Sequence, residues 1–256
     1  MIGADTRRPP WWRELSLVAG VYGIYSLTRN TLPVHVATAR ANALDLYDSE
    51  RHLHLDIERS VNDFMAAPGA HPLAVFANYT YSVSHFAVTL SVLLWLYLSR
   101  PDVYRRARGV LLITTLVGLL GFWLYPLAPP RVFPDLGFVD TVVRDRTWGS
   151  WSSTTITRIS NQYAAMPSIH LAWSVWSASA LLRWARQRWV RIAACVYPVL
   201  IAFVIVGTAN HWTLDACGGL AAVAVGTLLS TATIRIRSRF GGGSRRSASR
   251  RAYSRS

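Results

Sequence analysis

Lysine is absent from the chain, and all 27 basic side chains are arginine. That absence reports codon usage and leaves function open. Cysteine is nearly absent too: Cys195 and Cys217 both fall inside apolar runs, where a thiol behaves as a small buried hydrophobe. Neither a disulfide framework nor a metal site follows from two such residues. Acidic residues are scarce, 13 against the 27 arginines. The resulting excess of 14 positive charges would suit a nucleic-acid binder if it were gathered on one soluble face. Here the arginines fall in short segments between apolar runs and in the last stretch of the chain, which argues against that class. A small-residue cleavage site is also lacking behind the first apolar stretch, "LSLVAGVYGIYSL", where Arg29 follows instead. With Arg7, Arg8 and Arg13 before it and Trp11 and Trp12 as interfacial anchors, this stretch reads as a retained span and not as a removed signal peptide.

What is abundant is apolar length. Hydrophobic residues make up 52% of the 256, and several runs approach the roughly 20 residues that cross a bilayer's hydrocarbon core. The expected fold class is all-α, a polytopic membrane protein with six spans near 13–29, 73–98, 109–126, 167–183, 190–207 and 212–233. The expected division is an N-terminal segment 1–12, a six-span domain 13–233 with outer loops at 30–72, 127–166 and 208–211, and a disordered basic tail 234–256. Within the first loop, "ATARANALDLYDSERHLHLDIERSVNDFM" mixes Ala41, Leu44, Tyr47 and Leu55 with many charges, as an amphipathic interfacial helix region does. Its His52, His54, Asp56 and Glu58 alternate by two. That spacing does not gather metal ligands on one helical face, so a solvated helix is the favoured reading.

Arginine orients the bundle. With the N-terminus inside, segments 1–13, 99–108, 183–191 and 234–256 hold three, four, four and eight arginines, and the outside holds the other eight. All acidic residues except Asp5, Glu14 and Asp102 lie outside. This is the positive-inside pattern: a multi-pass protein of the cytoplasmic membrane with both termini cytoplasmic and the basic tail able to meet the anionic inner leaflet.

On the outer side, three separate connections then bring polar residues together. "YPLAPPRVFPD" carries Arg131, "MPSIH" carries Ser168 and His170, and "TANHWTLD" carries His211 and Asp215. His211 and Asp215, four apart, share a helix face, so the carboxylate can fix the imidazole's tautomer and leave its other nitrogen available. Such a histidine can act as nucleophile or base, with His170 as the complementary acid. Arg131 offers a fork of donors for phosphate oxygens. Ser168 offers a hydroxyl and free backbone N–H groups, although a Pro-Ser pair also starts helices purely by capping. His85 sits within the second span beside Ser82 and Ser84, where a satisfied interior histidine is favoured over a relay. The tryptophans read as interfacial markers.

"PSIH" at 167–170 and "HWTLD" at 211–215 resemble the second and third motifs of the type 2 phosphatidic acid phosphatase superfamily, membrane lipid phosphate phosphatases and phosphotransferases. The first motif is partial: Arg131 fits its arginine, but Leu124 stands where lysine would and Val132 where proline would. In the third, Val204 and Ile205 replace Ser-Arg, so the second phosphate arginine is missing. "PLAPPR", the bulky Ile169 and "ANHWTLDACGG" look more like the branch containing inositol phosphorylceramide synthases.

The resemblance implies a metal-independent and cofactor-free transfer of phosphate through a phosphohistidine at the extracytoplasmic face. His211 attacks, Asp215 orients it, His170 protonates the leaving oxygen, and Arg131 and Ser168 hold the phosphate. Arg29, Arg51 and Arg158 are candidates for the missing arginine. The substrate is a lipid phosphate or phosphodiester headgroup, and the acceptor is water or an inositol-like alcohol. A non-catalytic transporter or scaffold is the rival from another class. It would place polar groups near the bilayer midplane between interrupted spans, and Gly118 and Gly121 do interrupt one span. Nothing in the sequence fixes the oligomeric state.

Overall fold

The computed structural model describes residues 8–31, 36–147, 163 and 165–253, with side chains described up to Leu27 in the first helix and up to Thr233 in the last. All regular structure among these residues is helical: α1 Trp11–Thr31, α2 Val36–His52, α3 Glu58–Ala66, α4 His71–Tyr79, α5 His85–Ser99, α6 Pro101–Leu124, α7 Thr141–Arg144, α8 Ile169–Trp184, α9 Arg188–Gly207 and α10 Thr213–Tyr253. A π-helical turn, Thr80–Ser84, joins α4 to α5 without breaking the rod. The backbone of α10 runs on into the arginine-rich residues that composition assigns to a tail.

Four segments are long and apolar enough to cross a membrane: Pro68–Ser99, Pro101–Leu124, Arg188–Gly207 and Thr213–Thr233. They fall on the expected spans at 73–98, 109–126, 190–207 and 212–233. The expected spans at 13–29 and 167–183 lie on α1 and α8, which do not meet that standard among the described residues. For α1 the reason is composition, since Arg13 and Glu14 occupy its first turn. For α8 it is length: 16 residues extend only about 24 Å at 1.5 Å per residue, short of a core roughly 30 Å thick. This helix packs on α5, α6, α9 and α10, and Leu171, Ala172, Trp173, Trp176 and Ala178 are all buried. Because its neighbours shield it, α8 accommodates Ser174 and Ser177 that a lipid-facing helix would not.

The two ends of the bundle differ in chemistry. At the arginine-rich end, Arg108 of α6 pairs with Glu14 of α1, and the Tyr104 hydroxyl donates to the same carboxylate at 3.0 Å. Arg100 donates to the carbonyl of Trp184 at 3.3 Å, so the α5–α6 and α8–α9 turns lie side by side.

At the opposite end α2 and α3 cap the helices. The buried face of α2 is Ala39, Ala43, Leu46 and Glu50, spaced by four, three and four and packed with Leu127, Ala128 and Trp212. Leu44 and Leu55, two of the apolar residues on which the amphipathic reading rests, are exposed instead. Small residues win this face because backbone approaches backbone there: Ala128 N–H donates to the carbonyl of Ala39 at 3.0 Å. From α3, Asn62 donates to the carbonyls of Gly207 at 2.8 Å and Val139 at 3.1 Å and accepts from Val139 N–H at 2.8 Å, which ties the end of α9 to the 130s loop.

Candidate active site

The site is built on the turn that ends α9. Asn210 N–H reaches back to the carbonyl of Ile205 at 3.0 Å and Ala209 N–H to that of Val206 at 2.9 Å. This is the Schellman pattern of a helix C-terminus, which needs a left-handed residue and usually finds glycine. Here Ala209 takes it, with φ 54°, at a cost of about 1–2 kcal/mol. Its methyl is fully buried beside Trp212. The Trp212 indole donates to the carbonyl of Ala128 at 2.8 Å and packs against the rings of Tyr47, Phe133 and Phe138. These contacts leave His211 only one direction, toward the interior of the bundle.

There, His211 Nδ1–H donates to Asp215 Oδ2 at 2.6 Å, with both side chains buried. That bond assigns the tautomer and leaves Nε2 bearing the lone pair. Nε2 is buried and has no hydrogen-bond partner among the described residues. An imidazole prepared in this way is a nucleophile aimed at an electrophile.

The His170 ring centroid lies 5.3 Å from that of His211, nearly edge to face. Its place is set by the segment Met166–Ile169, which is wedged between two helices at glycines. A Cβ on Gly118 would meet Ile169 Cδ1 at 2.2 Å, one on Gly121 would meet Pro167 Cδ at 2.3 Å, and one on Gly219 of α10 would meet the Ser168 carbonyl oxygen at 2.4 Å. Gly118 and Gly121 are thus seats for a packed segment and not interruptions for a transport path. Ile169 is a core residue, 3% exposed. Ser168 is the N-cap of α8: fully buried, its Oγ accepts from Leu171 N–H at 3.5 Å, and its own N–H donates to the carbonyl of Asp215 at 3.3 Å. The capping role stands on those bonds.

Two further rings flank His170. Tyr81 stacks on it with centroids 4.3 Å apart, and His85 lies 4.2 Å away on the same rod. Tyr81 and His85 are four residues apart, so they share one face of the rod, and that face is turned to His170. His85 Nδ1 bonds the carbonyl of Tyr81 at 3.0 Å. Satisfied and interior as expected, it also touches the proposed acid. Tyr81 was missed, since nothing in "NYTYSVSHF" sets it apart from Tyr79 and Phe86.

Arg131 joins the site through backbone and side chain together. Its N–H donates to the carbonyl of Ala209 at 2.9 Å, its guanidinium donates to Asn210 Oδ1, and its Nε lies 3.6 Å from Asp140 Oδ2. Arginine and nucleophile are therefore anchored to one turn. Of the candidates for a second phosphate arginine, Arg51 is exposed and lies 4.0 Å from Asp48, while Arg158 and the side chain of Arg29 lie outside the described residues. An arginine that the sequence reading passed over, Arg40, lies over the Phe133 ring at 4.4 Å and donates to the carbonyl of Val132 at 3.0 Å, next to Arg131 in the chain.

The family model of the PAP2 superfamily matches residues 44–229, a stretch that holds every residue of this site. No curated protein and no solved structure matches the chain.

Proposed function

Because the chain belongs to the PAP2 superfamily, which generally comprises phosphatases, we propose that it is a membrane lipid phosphatase or phosphotransferase working through a phosphohistidine. The observation that carries this reading is His211, held by Asp215 at 2.6 Å with a buried Nε2 that has no partner among the described residues, beside His170. In the first step Nε2 attacks phosphorus, the bond to the leaving oxygen breaks, and His170 gives that oxygen its proton. In the second, His170 takes a proton from water or an alcohol, the new oxygen attacks phosphorus, and the P–N bond breaks. Acid–base help of this kind is worth roughly a hundred- to ten-thousand-fold in rate. Arg131 brings its guanidinium charge to the phosphate, and Ser168 directs the start of α8 toward it. No metal takes part.

The proposed topology has six spans, α1 and the sheltered α8 completing the four apolar ones. The site faces outward, and the arginine-rich end and tail lie against the anionic inner leaflet. The acceptor divides hydrolase from transferase, and the departures shared with the inositol phosphorylceramide synthase branch favour an alcohol.

The test is turnover of a lipid phosphate by purified protein in detergent with excess chelator. Phosphate release is expected, and His211→Ala is expected to reduce it to background. Activity that survives in this variant overturns the mechanism. Product analysis with and without an added polyol separates transfer from hydrolysis.

A further inference from the structure

Glu50 of α2 and Glu58 of α3 are both 0% exposed, and they interact with each other and with the first turn of α10. Glu50 Oε1 accepts from Leu214 N–H at 2.5 Å, and Glu58 Oε2 accepts from the Thr213 hydroxyl at 2.6 Å. Each carboxyl then has one buried oxygen left over, Glu50 Oε2 and Glu58 Oε1, with no donor to fill it among the described residues. Two carboxylates this close in a dry site do not both ionise. A single proton between them removes one charge and supplies the missing donor for both leftover oxygens.

We propose that Glu50 and Glu58 form a proton-sharing carboxyl pair that positions the first turn of α10, and with it Asp215 and His211, for phosphoryl transfer. The two are positioning residues: they hold the backbone and hydroxyl of residues 213 and 214, which lie between the nucleophile and its carboxylate partner. This role rests on the function proposed above. The groups facing Glu50 are Glu58 from α3 and Asp215 from α10, the latter bonded to His211. On its own helix Tyr47 faces Asp56 and Glu58, with Arg51 and Arg59 nearby. Those two arginines also lie near Asp48 and Asp63 at the surface. Burial, reinforced by the bond to Glu58 and the charges of Glu58 and Asp215, pushes Glu50 up to about 9, against the opposing bond from Leu214 N–H.

Glutamine at position 50 keeps an acceptor for Leu214 and supplies a donor to Glu58 without a titrating proton. Glu50→Gln is therefore expected to hold kcat within about threefold at neutral pH, whereas Glu50→Ala lowers it by about tenfold or more with KM little changed. The wild-type alkaline limb should lie near pH 9, where the pair loses its proton, and should move up or vanish in Glu50→Gln. A folded-state pKa above the unfolded value means the native protein keeps a proton that the unfolded chain has released. Stability therefore falls as pH rises from the ordinary glutamate range to about 9, and Glu50→Gln should flatten that slope in thermal unfolding.

Infrared spectra decide the pair without any turnover. A protonated-carboxyl stretch is expected at neutral pH and should be lost in both Glu50→Gln and Glu58→Gln. A stretch that persists in both variants, or an alkaline limb unmoved by Glu50→Gln, overturns the proposal. If no lipid phosphate is turned over at all, the proposed function fails while the infrared result still decides the shared proton.

Discussion

At one end of α9 the turn leaves Arg183, Arg186, Gln187 and Arg188 exposed, with Trp189 exposed to 72%. At the other end every residue from 207 to 212 is buried. The first turn is cheap, because water and headgroups satisfy its polar groups. A buried turn must find each partner inside the protein, and this one draws on Asn62, Ala128, Arg131 and its own helix. It also tolerates a left-handed alanine and leaves His211 Nε2 without a bond among the described residues. Strain and an orphaned group at one end of a helix, with none needed at the other, fall where the chemistry is proposed to be done.

Substitutions at the two ends should therefore differ in size. The largest effect is expected at the site end from Gly219→Ala, whose methyl would meet a backbone carbonyl at 2.4 Å. Thermal unfolding in detergent should show a loss of about 2–3 kcal/mol, with activity falling as His170 is displaced. Next comes His85→Phe, which keeps the ring against His170 and removes its nitrogens. A relay role predicts kcat down about ten- to a hundredfold with KM nearly constant. Unchanged kcat would reduce His85 to packing. Asn210→Ala removes the acceptor for Arg131 and the donor to Thr208 Oγ1 at 2.7 Å. It should cost about 1–2 kcal/mol and raise KM more than it lowers kcat. At the far end, Arg188→Ser should leave activity within about twofold and stability within about 0.5 kcal/mol. A large loss there would erase the contrast between the two turns.

Much of the site was legible because its residues sit where chain periodicity breaks. Three polar motifs at three connections on one charge-defined side could be matched without coordinates, and the structure brings Arg131, Ser168, His170, His211 and Asp215 to adjoining elements. The residues that support them were hidden by averaging. Glu50 and Glu58 lie in a run whose many charges read as a solvated helix, and only their contacts with Leu214 and Thr213 at the start of α10 separate these two from Asp45, Asp48 and Asp56. Tyr81 is one aromatic among several in its span, and hydrophobic spacing does not single it out from its neighbours. Helix α8 was harder still. A helix surrounded by other helices obeys their shape and not the bilayer's, so neither its length nor its serines follow a lipid-facing pattern.

The most direct measurement is a rapid quench of the enzyme with a lipid substrate labelled at phosphorus, followed by mapping of the labelled residue. An alkali-stable and acid-labile label on His211, absent from His211→Ala and formed without metal, is expected. A competent enzyme that carries no label on His211 at any time point, or a His211→Ala variant that still turns over, would contradict the phosphohistidine mechanism.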